Sequence, residues 1–493
     1  MDDDLLDETI ERVADRYGIT IADGDRQAHR ETIRTLAATA EAFEVEPPAS
    51  DEPDDVRTGD DRYNAFRKRF DLPPTAPDGP LAGLAVAVKE NTVVAGVETT
   101  CGSPGFSYAP PYSATVVERL RGAGASIVGT TNMDEFAYFT TGETCAHGRI
   151  ENPAADGCVP GGSSSGSGAA VAGGLVDAAL GTDTAGSIRI PASFCGVVGV
   201  KPTHRLVSRF GVVDLSPSLD HVGPLATDVE TAANVMDAIA GPDIADPSTH
   251  ATPAGHTRSS FPAALDAGVD DLTLGVVEES MALATDDVRR AVEVTLDDLS
   301  SAGATIDRVS IDGYDLVGAA AGTLIGAEFA AFVGGDGVQY GLGTGTTKPL
   351  REALADATDD CEFGENVCEQ LLYNGTLNEA LAGRHYVAAA DFRRRFTATV
   401  REQFLDVDAL LTPTTPTTAP EFGAVQGMDG LLRTMANTAP FNLTGSPAVS
   451  VPRTVVDGDA DAEGGKPVGI QIVADWHDES TALRVARAVE STD

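Results

Sequence analysis

Short apolar runs and apolar residues spaced three or four apart take turns along this chain, which predicts strands alternating with helices. Leu81 to Lys89 (LAGLAVAVK) closes on a continuous apolar run, the pattern of a strand covered on both faces. A helix is predicted over Ala114–Gly122 and a strand over Ser126–Gly129. Further apolar runs predict strands at Cys195–Val200, Leu272–Val277, Ala409–Thr412, Ala448–Val451 and Val468–Ala474. Between Asp286 and Ala302, residues Val288, Ala291, Val292, Leu296 and Leu299 fall on one helical face. Residues 310–400 read as mainly helical, and the whole as an α/β protein with a largely covered sheet. At the N-terminus, Leu5, Leu6, Ile10 and Val13, then Ile33, Leu36 and Ala40, predict helices up to about residue 46. Pro47 to Asp61 is acidic and proline-bearing and reads as an exposed connector. The expected division is therefore a helical extension with its connector at 1–60 and a main domain at 61–493. Residues 454–465 read as an acidic surface loop.

The densest segment is residues 161–191, GGSSSGSGAAVAGGLVDAALGTDTAGSIRIP. A Gly/Ser turn (Gly161–Gly168) leads into small residues of helical character (Ala169–Leu180), then a second tight turn, Gly181–Ser187. Ser163 and Ser187 both lie on glycine-rich backbone, which lets the main chain approach a ligand closely. Successive free N–H groups in such turns form an anion-binding concavity, as a serine nucleophile needs for its oxyanion. A flexible linker would not lead into AAVAGGLVDAAL, which must pack. A phosphate loop is disfavoured, since no third spaced glycine and no G-K-[ST] is present.

Composition narrows the class. Acidic residues number 76 against 34 basic, a net charge of −42, and only five residues are lysine. That balance suits molar salt, where the Debye length is about 3 Å. It also argues against direct contact with nucleic acid, which requires basic patches. The six cysteines match no zinc or disulfide pattern, so reduced thiols are expected, with no metal. The acidic N-terminus does not read as a signal peptide, and no apolar run approaches 18 residues. A cytoplasmic protein without a membrane span is expected.

Ser187 is the candidate nucleophile, and a serine needs a base. None of the eight histidines lies in a motif that would place it beside Ser187; His204 is nearest in sequence. Lys89 ends an apolar strand, where α/β folds place ligand sites, and burial there would lower its pKa towards neutrality. A lysine that snorkels or pairs with Glu90 is the competing reading. Separately, Gly162-Ser163-Ser164-Ser165-Gly166 matches the nucleophile-elbow pattern G-x-S-x-G with Ser164 central, which would imply a Ser-His-Asp α/β-hydrolase. The preceding Val159-Pro160-Gly161 is not a strand, which weighs against it.

AVAVKENT around Lys89, Pro160–Gly166, Gly181–Arg189, Phe194–Thr203, Thr131–Phe136, Leu411–Thr414 and Pro467–Gln471 together resemble the amidase signature family over most of residues 60–490. The resemblance implies a large mixed, twisted sheet with helices on both faces and a helical N-terminal extension. It further implies a Ser–cisSer–Lys triad: Ser187 as acyl-forming nucleophile, Ser163 as bridging serine after a cis bond from Gly162, and Lys89 as base. Backbone N–H groups of Thr184, Ala185, Gly186 and Ser187 would form the oxyanion hole. Asp183 and Arg189 would hold the turn. Ala185 stands where many relatives have glycine.

The family contains free-standing amidases and the glutaminase component of tRNA-dependent amidotransferases. The latter branch carries an arginine-bearing helix for the glutamine carboxylate. The comparable run here, Phe363–Gln370, has no arginine. A free-standing enzyme releasing ammonia from a neutral small-molecule amide is therefore expected, without cofactor, its one expected protein partner being a second copy in a homodimer. The amidotransferase component, working with partner subunits, is the alternative. A non-catalytic binding protein is disfavoured by the presence of Lys89, Ser163 and Ser187 together. Phe363, Tyr373, Tyr386, Met435 and Phe441 are the candidates for shaping the acyl pocket.

Overall fold

The computed structural model describes residues 3–22, 24–41, 47–251, 260–338, 347–359, 361–454 and 465–492. The chain forms two compact units, Met1–Pro48 and Ala49–Asp493. The first holds helices α1 (Asp3–Tyr17) and α2 (Arg26–Glu41), joined by the ion pairs Arg26–Glu11 and Arg30–Asp7. Leu6, Ile10 and Ala14 are buried, a single i, i+4, i+8 stripe. Leu5, Val13 and Leu36, expected on an apolar face, are exposed, because a helix pair this small covers only one narrow stripe.

The second unit is built on one twelve-stranded mixed sheet. Its strands are β1 (Asp54–Thr58), β2 (Phe66–Leu72), β3 (Ala85–Lys89), β4 (Ser126–Thr131), β5 (Ala178–Asp183), β6 (Val198–Lys201), β7 (His221–Ala226), β8 (Thr273–Val277), β9 (Thr305–Val309), β10 (Ala409–Pro413), β11 (Ala448–Thr454) and β12 (Pro467–Val473). Their order across the sheet is β1-β2-β4-β3-β5-β7-β6-β11-β12-β10-β8-β9. The central trio β4-β3-β5 is parallel, and β7 then enters antiparallel to β5. Alternation along the strands sorts side chains into two cores: Val86, Val88 and Leu180 lie in one, Ala87 and Ala179 in the other. Helices α3 (Thr115–Gly122) and α6 (Val229–Ile239) supply the first core and α4 (Ser165–Ala172) the second, while α5 (Arg189–Cys195) gives Ile190 and Phe194 to the first and Ala192 to the second. The sheet is thus covered on both faces, as the apolar runs of its central strands require.

Several expectations shift. The connector Pro47–Asp61 contains β1, a wholly exposed edge strand paired with β2. The stretch Ala169–Leu180 is not one helix: α4 ends at Ala172 and β5 begins at Ala178. Cys195 ends α5 rather than starting a strand, because Gly196 (φ +70°) caps that helix in the left-handed region. The acidic loop at 454–465 lies almost entirely outside the described residues. Among the described residues one helix, Tyr314–Gly334, is long and apolar enough to cross a membrane, contrary to the expectation from the sequence, since glycine and alanine make its run apolar on every side. It is mostly buried, with Val317, Leu324, Phe329 and Val333 packed into the core.

Candidate active site

Lys89, the last residue of β3, is fully buried at the centre of the sheet. Its Nζ donates to Ser163 Oγ and to Thr182 Oγ1, both at 2.8 Å. Burial pulls its pKa down to about 7, against the pull of Asp134, Asp220 and Asp183, so the neutral amine is accessible near neutrality. Ser163 follows a cis peptide bond from Gly162. A Cβ on Gly162 would lie 2.0 Å from Asp134 Oδ2, so glycine is the residue that fits. Asp134 is itself fixed by donors from Gly142 N, Thr144 N and Thr144 Oγ1, and its own N–H donates to Ser163 O.

Ser187 closes the loop between β5 and α5, and Pro191 in the first turn of α5 brings no N–H that would need a partner there. Its carbonyl accepts from Ser164 N at 3.2 Å, which joins the two glycine-rich turns. The loop is held from within by a buried ion pair. Asp183 Oδ1 and Oδ2 accept from Arg189 NH2 and Nε at 2.9 Å, and also from the N–H of Gly186 and of Ile188. Burial alone would raise the Asp183 pKa; the Arg189 charge and these bonds outweigh it and hold it at about 2. Arg189 in turn donates to Gln471 Oε1 and Asn442 Oδ1, both at 2.6 Å, and to Thr438 O. At Gly186 the backbone takes φ +139°, and a Cβ would strike Thr438 Oγ1 at 2.2 Å.

The N–H of Gly186, expected as an oxyanion donor, donates to Asp183 Oδ1 at 2.8 Å. Thr184 is positioned by its hydroxyl, which donates to Asp220 Oδ1 at 2.6 Å. Asp220, raised to about 7 by burial and by Asp214, also accepts from Leu215 N and Ser216 N.

Ser164 does not carry the elbow: its hydroxyl is buried and exchanges bonds with Thr182 O and Thr182 N. Among the described residues no histidine bonds to Ser187. His221 Nδ1 lies 3.1 Å from the Asp183 carbonyl, where it meets backbone and not a hydroxyl nucleophile. No cluster of three or more His, Cys, Asp or Glu side chains able to hold a metal occurs among the described residues.

Ser187, Thr184 and Ala185 border a cavity of ≈ 40 Å³ with Tyr138, Leu215, Ile325, Met428, Leu431 and Met435. Among the described residues no charged side chain lines it. Of the five residues expected to shape it, only Met435 does so. Phe363 packs edge-on against Phe136, Phe441 is deep in the core, Tyr373 is exposed, and Tyr386 donates to Glu328. Sequence reading also missed Thr182, Asp134, Asn442 and Gln471 as parts of the site. Thr182, Asp134 and Gln471 stood inside motifs already quoted; nothing marked Asn442.

A family model described as Amidase matches residues 62–483. A glutamyl-tRNA(Gln) amidotransferase subunit from Natronomonas pharaonis is 44% identical over 435 residues, 87% of this chain and 99% of its own length. Its counterpart from Haloarcula marismortui is 43% identical over 427 residues, 84% of this chain and 96% of its own. The crystal structure of the corresponding glutamyl-tRNA(Gln) amidotransferase subunit from Thermotoga maritima superposes with a TM-score of 0.70 at 33% identity, covering 85% of each chain. A peptide amidase bound to chymostatin gives 0.69 at 30% identity, covering 84% of each. These relatives overturn the expected partners, namely a small amide alone, no nucleic acid, and at most a second copy. Several of the most similar relatives are named as subunits of a glutamyl-tRNA(Gln) amidotransferase.

Proposed function

The chain belongs to the amidase signature family, enzymes acting on carbon–nitrogen bonds, and from that premise we propose that it cleaves an amide through an acyl-enzyme on Ser187. The observation that carries this reading is the buried 2.8 Å contact between Lys89 Nζ and Ser163 Oγ, beside the Ser187 loop. With Lys89 neutral, its lone pair takes the Ser163 proton as Ser163 takes that of Ser187. Ser187 Oγ attacks the amide carbon, and the N–H groups of Thr184, Ala185 and Ser187 face the oxyanion. The relay then reverses: the Lys89 proton returns through Ser163 to the leaving nitrogen, which departs as ammonia. Water repeats the cycle to free the carboxylate.

The names of the relatives support a role as the amidase component of a glutamyl-tRNA(Gln) amidotransferase, in which ammonia freed here is used on a partner. The uncharged cavity lining favours a second reading of the donor, an amide with an apolar acyl group, because a glutamine α-carboxylate would meet no cation among those side chains.

The test is ammonia release in roughly molar KCl, from glutamine, propionamide and benzamide, with and without the remaining amidotransferase subunits and glutamyl-tRNA(Gln). Glutamine turnover that rises with the partners supports the amidotransferase role. Turnover of the apolar amides, indifferent to the partners, supports the second reading. No release from any of them, or equal release by Ser187→Ala, sinks both.

A further inference from the structure

A cavity larger than the one at Ser187 lies away from it and shares no lining residue with that pocket. It has a volume of ≈ 650 Å³ and opens between the 203–205 turn, the helix Arg384–Gln403, residues 443–445 and Trp476. Its chemistry is out of keeping with the chain. Where acidic residues outnumber basic ones 76 to 34, none of the described lining residues is acidic, and Arg205, Arg393, Arg394 and Arg401 all line it.

Arg393 is the central group. It is half-buried, its Nε donates to the Leu443 carbonyl at 2.7 Å, and its NH1 donates to Ser218 Oγ at 3.2 Å. Both acceptors are neutral, so among the described residues a desolvated guanidinium is left without a carboxylate in contact. Glu328, the acid whose charge bears on it most, is already satisfied by Ser216 Oγ, Ser218 N and Tyr386 OH. Other acids near the rim are committed to the outer arginines: Asp475 to Arg401 at 3.0 Å and Asp391 to Arg394 at 3.1 Å. The inner wall carries the same sign of potential. His204 Nε2 is buried and unpartnered, and burial, together with His221, Arg209, Arg393 and Arg205, holds that ring neutral. Arg401 lies 4.3 Å over the Trp476 ring, giving the cleft a rigid aromatic side.

We propose that this cleft binds a small molecule carrying a carboxylate or phosphate group, received by the guanidinium groups of Arg393 and Arg205. Planar guanidinium forks match both anions, and a half-buried cation with only neutral partners gains most from one. The site does not depend on what Ser187 acts upon.

Trp476 is the only tryptophan of the chain, so its fluorescence reports this cleft alone. The experiment titrates the protein with inorganic phosphate in one arm and citrate in the other, at fixed ionic strength in KCl. A saturable change is expected in at least one arm, and the arm that saturates identifies the anion. Half-saturation should rise at least about tenfold in Arg393→Gln, the size expected for losing a charge-assisted bond. Because Arg393 also ties Leu443 and Ser218, Arg205→Gln serves as the second variant and should weaken binding in the same direction. A response that is linear in both arms, or that saturates identically in the wild type and both variants, overturns the proposal.

Discussion

Lys89 Nζ and Ser163 Oγ lie 2.8 Å apart in a fully buried setting, at the end of one strand and the start of a glycine-rich turn 74 positions later. On the mechanism proposed above, the lysine is a base in reserve: burial lowers its pKa to about 7, and it lies within one hydrogen bond of the Ser163 hydroxyl.

That arrangement fixes a pH profile. Turnover should fall about tenfold per unit as pH drops below about 7, where Lys89 is protonated. Lys89→Ala should lower kcat by about 10²–10⁴, with the deficit shrinking at alkaline pH as hydroxide takes over the base's task. A loss of equal size at every pH would remove Lys89 from the role of base.

The same lysine makes a stability prediction of definite sign. Its folded pKa, about 7, lies below the ordinary 10.5. Between those values the unfolded chain holds a proton that the folded chain rejects, so this group's contribution to stability rises with pH from about 7 to 10.5. Lys89→Met should be stabilised relative to wild type by a margin on the order of 4 kcal/mol near pH 7, closing towards about pH 10. Chemical denaturation across that range measures the margin, and a constant difference would contradict it.

Ser187→Ala should reduce ammonia release by at least about 10³-fold, leaving the thermal midpoint within about a degree or two. Ser187 borders a cavity, and its hydroxyl forms no hydrogen bond that holds the loop among the described residues, so the fold has little to lose.

Asp183→Asn should behave in the opposite way. It leaves Arg189 buried beside neutral partners, at a cost of about 3–5 kcal/mol in unfolding free energy. In the wild type the stabilisation from this carboxylate is present above its ordinary pKa of 3.8 and is lost as pH falls through about 2. Urea midpoints of the two proteins near neutral pH decide the matter; equal midpoints would mean that the pair holds nothing.

A net charge of −42 should make the protein depend on salt. Dialysis from roughly molar KCl to about 0.1 M lengthens the screening distance from about 3 to about 10 Å, and activity and far-UV ellipticity should fall together. Retention of both in dilute buffer would count against salt adaptation.

What could be read from the sequence follows the reach of each interaction. Lys89, Ser163 and Ser187 stand in short, unbroken motifs whose residue types announce their chemistry. The central strands were visible because both faces are covered, which leaves apolar runs. β5 (AALGTD) was hidden because small residues carry no periodicity, and β1 because a sheet edge tolerates charge; β2 (FRKRFDL), beside it, carries charge on its partly exposed positions. The acyl cavity was the least legible feature. Leu215, Ile325 and Met428 come from segments far apart in sequence, and only the packing of the Tyr314–Gly334 helix brings them together.

Arg189 binds Asp183 six residues upstream, Asn442 at 253 positions' distance and Gln471 at 282. The nucleophile loop is therefore unfinished until the ribosome has passed Gln471. Lys89, Ser163 and Ser187 are translated early, whereas one brace of the loop that carries Ser187 comes from β12. On the proposed mechanism, a chain truncated before β12 would hold all three side chains while Arg189 lacked its Gln471 acceptor.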